Sequence, residues 1–365
     1  MVKLKEFGSK ALVLTLAVTI LFGVSFSRTA TAKTELKVLN AGSLMVPFDR
    51  IEEKFEETYP DVDVQIEGHG SIQVVRHVTE IHDRVDVTAV ADYSLIPLLM
   101  YETNLPNSDK PYADWYIKFA TNNLGLAYTE TSSYSEEITA DNWYEVLLRD
   151  DVNFGMSDPR MDACGYRALM LTRLAEDYYG EPELFENLIT DSFKNYPIES
   201  VDLAGLKKIL VPRILQPRSR RLTMRGSSIN LLAPLEAGGV DYGFQYESVA
   251  RQHGLSFLHL PPQINLGSEE YSENYRKVQV KLDYQRFSSV SPVFTGRRLI
   301  YGITIPENAP HPELARDFVE FVLTEPGREV MENSNHPTLE KPAVDGMENL
   351  PEQLKELNLK KAEDG

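Results

Sequence analysis

Hydrophobic and polar positions change period in regular alternation from Glu35 onward. "ELKVLNAG" reads as a half-buried strand, and Met45–Tyr59 follows with Phe48, Ile51 and Phe55 at helical spacing. "VDVQIEG" returns to the strand pattern, and "SIQVVRHVTEI", opening at Ser71, to the helical one. "VDVTAVAD" is a continuous apolar run of strand type, followed by a short helix at "SLIPLLM". A strand–helix rhythm of this kind predicts a parallel sheet with helices on its faces. The predicted strands end in "NAGS", "EGHGS" and "VADYS". In open parallel sheets the ligand crevice lies beyond the carboxyl ends of the strands, where these turns would gather.

A second block begins at "WYIKFATNNLGLAYTE" and continues with a helix "ADNWYEVLLRD", a strand "NFGMSD" and a helix "GYRALMLTRLAEDYYG". Residues 191–225 show no clear period. Beyond them come a helix "SSINLLAPLEAGG", strands at "DYGFQY", "LSFLHLP", "KVQVKLDYQRF" and "RRLIYGITIP", and a long helix from Pro312. Pro234 falls inside the first of these helices and should kink or shorten it. With no repeat and no low-complexity linker, the pattern predicts a two-lobed α/β protein whose chain crosses between lobes more than once.

The N-terminus has another pattern. "MVKLKEFGSK" is basic, "ALVLTLAVTILFGVSF" is wholly apolar or small, and "SRTATA" ends in Ala30-Thr31-Ala32. This order predicts a secretory signal peptide, residues 1–32, cleaved before Lys33. The apolar run is shorter than the roughly 20 residues of a membrane span. A soluble periplasmic protein is therefore expected. The only cysteine is Cys164, so neither an intrachain disulfide nor a lipid anchor on a mature N-terminal cysteine is available.

The chain carries a net charge of −18, and loss of the leader, with four basic residues against Glu6, makes it −21. Nucleic acid is excluded as a partner, since its phosphates would be repelled. An anionic ligand would have to be held by local dipoles and hydrogen bonds against the net charge.

Enzyme and metal motifs are absent: no H-E-x-x-H, G-x-S-x-G, P-loop or Cys/His cluster occurs. The seven histidines lack ligand spacing and read as surface or turn residues. "DYY" at 177–179 reads as aromatic packing at a helix end, and Cys164 as a small buried residue. What remains is a set of small polar turns: "AGS" at 41–43, "GHGS" at 68–71, "SDPRMDACGYR" at 157–167, "RGSS" at 225–228 and "FQYES" at 244–248. Each has a local explanation as a cap or turn; Gly42 allows a tight turn and Ser43 can cap the helix after it. Most lie at strand–helix junctions, and together they suit an oxyanion cleft of hydroxyl and N–H donors.

"NAGSLMVPFDRIEEKFEE", "AVADYSLIP", "FATNNLGLAYT", "SDPRMDACGYRALM", "DYGFQYESVARQHGLSFLHLP", "INLG" and "IYGITIP" resemble, in order and over nearly the whole mature chain, the archaeal-type tungstate/molybdate-binding proteins of ABC importers. The resemblance implies a type II periplasmic-binding-protein fold: two lobes, a ligand cleft and hinge crossovers. On that basis lobe I is expected at 33–119 and 248–365, and lobe II at 120–247. The implied ligand contacts are Gly42 and Ser43, Ser71, Asp162 with Ala163 and Cys164, Ser228, and Tyr246. In the family, an Asp from the "D-P-C-G-Y-R" motif and a Glu from an "R-P-K-E"-like turn reach the metal and extend a tetrahedral oxyanion toward six-coordination. Asp162 is retained as a candidate direct ligand to molybdenum or tungsten, but Ser228 stands where the family has its Glu and Gly226 where it has Pro. Another carboxylate, Glu247 or Glu236, could take the vacant place.

The sequence is thus read as a monomeric solute-binding protein that captures molybdate or tungstate, without a cofactor, and delivers it to an ABC permease. A binder of another tetrahedral anion, such as sulfate or phosphate, is the first alternative. An enzyme of oxyanion metabolism on the same fold is the second.

Overall fold

The first strands and helices form where the periodicity puts them, in a computed structural model that describes residues 32–218, 220–284, 287 and 292–362. The expected signal peptide lies outside the described residues apart from Ala32. Strands β1 (Thr34–Ala41), β2 (Val62–His69) and β3 (Val87–Val90) pair in parallel, with β1 in the middle. Helix α1 (Met45–Thr58) buries Pro47, Phe48, Ile51 and Phe55. Phe55 stacks on Tyr59 at 4.3 Å and meets Phe318 edge-on at 5.2 Å, which pins the helix to the one at Pro312–Leu323. Truncating such a ring to Ala typically costs about 3–5 kcal/mol. Helix α2 (Ser71–Thr79) buries Ile72, Val74, Val75 and Val78.

The sheet is then completed by strands from far along the chain. Its order is β16-β15-β4-β14-β3-β1-β2: β4 (Tyr116–Thr121) lies antiparallel to both β14 (Ile300–Thr304) and β15 (Thr338–Asp345), β14 is antiparallel to β3, and β16 (Lys360–Lys361) joins β15 in parallel at the edge. A second sheet, ordered β11-β5-β10-β6-β9, is built from β5 (Leu124–Tyr128), β6 (Phe154–Ser157), β9 (Leu222–Arg225), β10 (Tyr242–Tyr246) and β11 (Ser256–Leu258). Between β6 and β9 run helix α3 (Ala163–Tyr179) and the strands β7 (Glu199–Leu203) and β8 (Leu206–Val211). The last two pair with β12 (Val278–Leu282) and β13 (Val293–Thr295) in a third sheet ordered β13-β12-β8-β7. Only Asn122 and Asn123 separate β4 in the first sheet from β5 in the second, so the first crossover is short.

Two expectations change. The division at 247/248 does not follow the strand pairing: β11 joins β5, and β12 joins β8 and β13, so these three strands belong with the second and third sheets. The return to the first sheet comes at the connection into β14. The aperiodic stretch 191–225 holds three strands, two of them a hairpin turning through Ala204 (φ 52°) and Gly205 (φ 82°). Pro234 has the predicted effect: a 3-10 turn at Ser228–Leu231 leads into a helix of only five residues, Leu232–Glu236. Among the described residues, no helix is long and apolar enough to cross a membrane.

Candidate functional site

The predicted site residues lie at or just beyond the carboxyl ends of strands, and all are buried. β1 delivers Gly42 and Ser43, β2 delivers Ser71, and β6 delivers Asp162 with Ala163 and Cys164 at the start of α3. β9 delivers Ser228, and Tyr246 is the last residue of β10.

The two lobes meet over these turns. The Met161 carbonyl accepts the N–H groups of Ile72 and Gln73 at 3.1 and 3.2 Å. Gly70 is tight against that seam, since a Cβ there would lie 2.5 Å from the Met161 oxygen. Ile229 presses on Gly42, leaving 3.0 Å for a Cβ. The arrangement is a closed one, with the turns of both lobes facing each other.

Asp162 sits just before α3 in extended conformation (φ −137°, ψ 140°), and its Oδ2 accepts the Ser228 N–H at 2.8 Å. Burial pushes its carboxyl above the ordinary value, against the pull of the Ser157 hydroxyl and the N–H groups of Ser228, Ser71 and Cys164. One N–H bonds this carboxyl directly, and three more polar groups stand close enough to favour its charged form.

The hydroxyls are primed in a common way: a neighbour supplies a donor, leaving the hydroxyl proton to be given elsewhere. Ser71 Oγ accepts the Ala91 N–H at 3.0 Å. Tyr246 OH accepts from Arg167 Nη1 at 3.0 Å. Tyr301 OH accepts from the Asn122 amide at 3.1 Å and shares a 2.9 Å bond with Ser43 Oγ. Ser43 thus bonds across to β14 and does not cap α1. Cys164 makes a long 3.6 Å contact to the Phe244 carbonyl, and burial pushes its thiol well up. It is a packed thiol, not a nucleophile.

Positive charge enters through Arg167, which is buried on α3. Its Nη1 also donates to the Ala91 carbonyl at 2.7 Å, and its Nη2 lies 3.3 Å from Asp92 Oδ2. Burial alone would push Asp92 up, but Arg167 and Arg297, with hydrogen bonds from Tyr166 and Ser94, hold it below the usual carboxylate range. Arg167 is thereby fixed and neutralised as a pair, consistent with a site that relies on hydrogen bonds.

The matching family model is that of the bacterial extracellular solute-binding proteins, over residues 36–334. The chain belongs to this solute-binding family. A solute-binding protein of Methanococcus maripaludis is 40% identical over 333 residues, 91% of this chain and 94% of that one. The molybdate/tungstate-binding protein WtpA of Thermococcus kodakarensis is 38% identical over 339 residues, covering 91% of this chain and 89% of WtpA. Among solved structures, the sulfate-binding protein SubI from Mycobacterium tuberculosis superposes with TM-score 0.55 at 13% identity, covering 84% of this chain and 88% of SubI. A substrate-binding protein of an ABC transporter from Agrobacterium tumefaciens gives 0.53 at 15%, covering 84% and 80%. At such identity these structures share the two-lobed fold of periplasmic binding proteins and nothing finer. An extracellular solute-binding protein works outside the cytoplasm.

In this solute-binding protein the proposed replacements for the missing Glu do not reach the turns around Asp162. Glu247 is held by the Asn123 amide at 2.9 Å and by Arg251 at 2.7 Å, and Glu236 is exposed at the end of its short helix. Among the described residues no cluster of three His, Cys, Asp or Glu side chains could hold a metal ion. Asp162 is the carboxylate at this convergence, with Ser228 bound to it through its own N–H.

Several residues around the site were not singled out from the sequence. Ser157 has a buried hydroxyl with no hydrogen-bond partner, close enough to act on both Asp162 and Cys164. Its place at the head of "SDPRMDACGYR" was a usable signal. Tyr301 and Asn122 gave none, being ordinary strand-end residues until the sheet assembles. Of the two readings given to the histidines, surface or turn, the first fails for His336: it follows the turn at 334–335 but is fully buried, edge-on to Tyr301 at 5.3 Å, with Ser248 Oγ and Gln252 Nε2 each 3.2 Å from its ring nitrogens. Ser248 in turn accepts from Asn122 at 2.7 Å, so the chain of polar groups runs from His336 to Ser43.

Proposed function

We propose that this protein binds molybdate or tungstate outside the cytoplasm, after removal of its signal peptide into a periplasm, and passes the anion to an ABC permease. The observation that carries the reading is the Asp162 carboxyl, buried where the two lobes meet and bonded by the Ser228 N–H, with the N–H groups of Ser71 and Cys164 and the Ser157 hydroxyl close by. The WtpA relatives supply the identity of the anion. Binding is capture and not turnover. Closure surrounds the anion with hydroxyl and N–H donors supplied by Gly42, Ser43, Ser71, Asp162, Ala163, Cys164, Ser228 and Tyr246, and the closed monomer is what the permease recognises. Asp162, carrying a proton, donates to an oxo group; ionised, it would instead be a ligand to the metal.

A second reading, another tetrahedral oxyanion such as sulfate or phosphate, is favoured by one observation: Ser228 provides a hydroxyl where a second carboxylate would select for a metal centre. Competition calorimetry of the mature protein with molybdate, tungstate, sulfate and phosphate decides. Tight binding of the first two that sulfate cannot displace supports the first reading. Preference for sulfate or phosphate overturns it.

A further inference from the structure

A cavity of about 580 Å³ opens beside the first sheet, lined by none of the residues predicted for the inter-lobe site. Its size falls in the range of small-molecule sites, roughly 300–1,000 Å³. Its lining is unusual for so acidic a chain: Lys118, Arg276, Arg297, Arg298, Lys341 and Lys360 against Glu269 and Glu340. Some of this charge is spent internally, Arg298 on Glu269 at 2.6 Å and Arg276 on Glu273 at 2.7 Å. The other four cations, Lys118, Arg297, Lys341 and Lys360, have no carboxylate within ion-pair distance among the described residues.

Two of these four are held in place. Lys118 Nζ lies 4.0 Å over the Tyr93 ring, and Arg297 donates to the Tyr93 hydroxyl at 3.2 Å and to the Thr295 carbonyl at 3.3 Å. Tyr93 is buried and stacks on Tyr116 at 5.6 Å, so the back wall is rigid. Lys341 and Lys360 stand exposed on β15 and β16. Asp92 offsets part of the Arg297 charge from beyond ion-pair distance, but holding Lys118, Lys341 and Lys360 around the same cavity is electrostatically costly unless a ligand supplies opposite charge. A surface lysine cluster would need neither the cavity nor the aromatic floor.

We infer that this basic cavity is a second anion site, separate from the one between the lobes, for a compact ligand with two or more phosphate or carboxylate groups. The ligand is either a free polyanion or the headgroup of an anionic lipid. Its charges pair with Lys118 and Arg297 at the back and with Lys341 and Lys360 at the rim.

The test is titration of inorganic pyrophosphate into mature protein whose inter-lobe site is saturated with its own oxyanion, so that only a second site can respond. One equivalent should bind, and the affinity should fall steeply with added salt. Lys118→Gln combined with Lys341→Gln should weaken pyrophosphate by about tenfold or more, as loss of charge-assisted bonds does. The melting temperature and the affinity of the inter-lobe anion should stay unchanged. Lys341→Gln with Lys360→Gln, on exposed positions, provides a variant whose folding is not in question. Flotation with vesicles containing cardiolipin, whose headgroup carries two phosphates, separates the sources. Vesicle binding that pyrophosphate displaces assigns a lipid headgroup, and pyrophosphate binding without vesicle binding assigns a free anion. No pyrophosphate binding, or binding indifferent to both variants, overturns the inference. Because the inter-lobe anion is titrated separately, failure here and failure of the proposed cargo are read on different curves.

Discussion

At the scale of single residues, Asp162 decides what kind of site this is. Burial raises its pKa above the ordinary value of 3.8, so whatever stability the neutral form contributes is present at low pH and lost as pH rises through the folded pKa. A dianion placed beside it raises that pKa further and favours the proton. Anion binding should therefore be accompanied by proton uptake, and affinity should decline as pH rises. Calorimetry in two buffers of different ionisation heat measures the uptake, and Asp162→Asn should abolish it. The bound metal should then be near-tetrahedral by X-ray absorption. A six-coordinate spectrum with no proton uptake would show Asp162 as a direct ligand instead. The serines make a second case. Ser43→Ala removes a hydroxyl that caps nothing but bonds Tyr301, so it should weaken binding by about 1.5–3 kcal/mol and cost ligand-free stability only about 0.5–1.5 kcal/mol. Ser71→Ala differs, because it strands the buried Ala91 N–H and should cost about 1–3 kcal/mol of stability as well. Equal losses for Ser43→Ala in stability, with unchanged affinity, would remove it from the site. These roles were legible in part. The turn motifs located Ser43, Ser71 and Asp162, but a hydroxyl's partner lies 20 to 258 residues away and leaves no mark nearby.

At the scale of elements, legibility follows periodicity. β1–α1–β2–α2–β3 could be read because each element has one face in the core, as α1 does with Phe48, Ile51 and Phe55. β7 could not, because its burial pattern lacks the alternation of a half-buried strand: four of its five residues are exposed. The placement of β11 and β12 was missed for another reason. Their pattern says strand, yet which sheet they join is settled by long-range pairing with β5 and β8. The buried connection before β15 is similar: nothing near "SNHPT" announces that His336 is enclosed by Ser248, Gln252 and Tyr301. Burial lowers its pKa to about 4 from the usual 6.5. Between those values the unfolded chain binds the proton and the folded chain does not, so stability is full above pH about 6.5 and falls as pH drops. The loss should reach about 3 kcal/mol at pH about 4. Urea unfolding across that range, compared with His336→Gln, isolates this contribution. Parallel slopes for the two proteins would mean that His336 is not the group responsible.

At the scale of the whole molecule, function depends on how the lobes come together. The N–H groups of Ile72 and Gln73 on the Met161 carbonyl, the contact of Ile229 with Gly42, and the reach of Arg167 and Tyr166 to Ala91 and Asp92 hold the seam. In water such bonds exchange for solvent at little net gain, about 1 kcal/mol each. A bound anion adds to this by mass action, since a site formed from both lobes exists only in the native, closed state. At a hundredfold excess over Kd the gain is about 2.7 kcal/mol. Thermal melts should therefore shift upward with molybdate or tungstate, and a shift with sulfate or phosphate alone would favour the alternative cargo. Gly70→Ala separates closure from the chemistry of the site. Gly70 has an ordinary φ of −62°, so alanine is not strained by its backbone, and the obstacle is the Met161 oxygen 2.5 Å from the new Cβ. That oxygen belongs to the opposite lobe, so the clash is felt only when the lobes meet. The variant should keep the ligand-free melting temperature and lose much of the ligand-induced shift, with affinity down about tenfold or more. A variant that melts early even without ligand would show that Gly70 is needed within its own lobe. One that binds as tightly as the parent would show that the seam at Met161 is not part of capture.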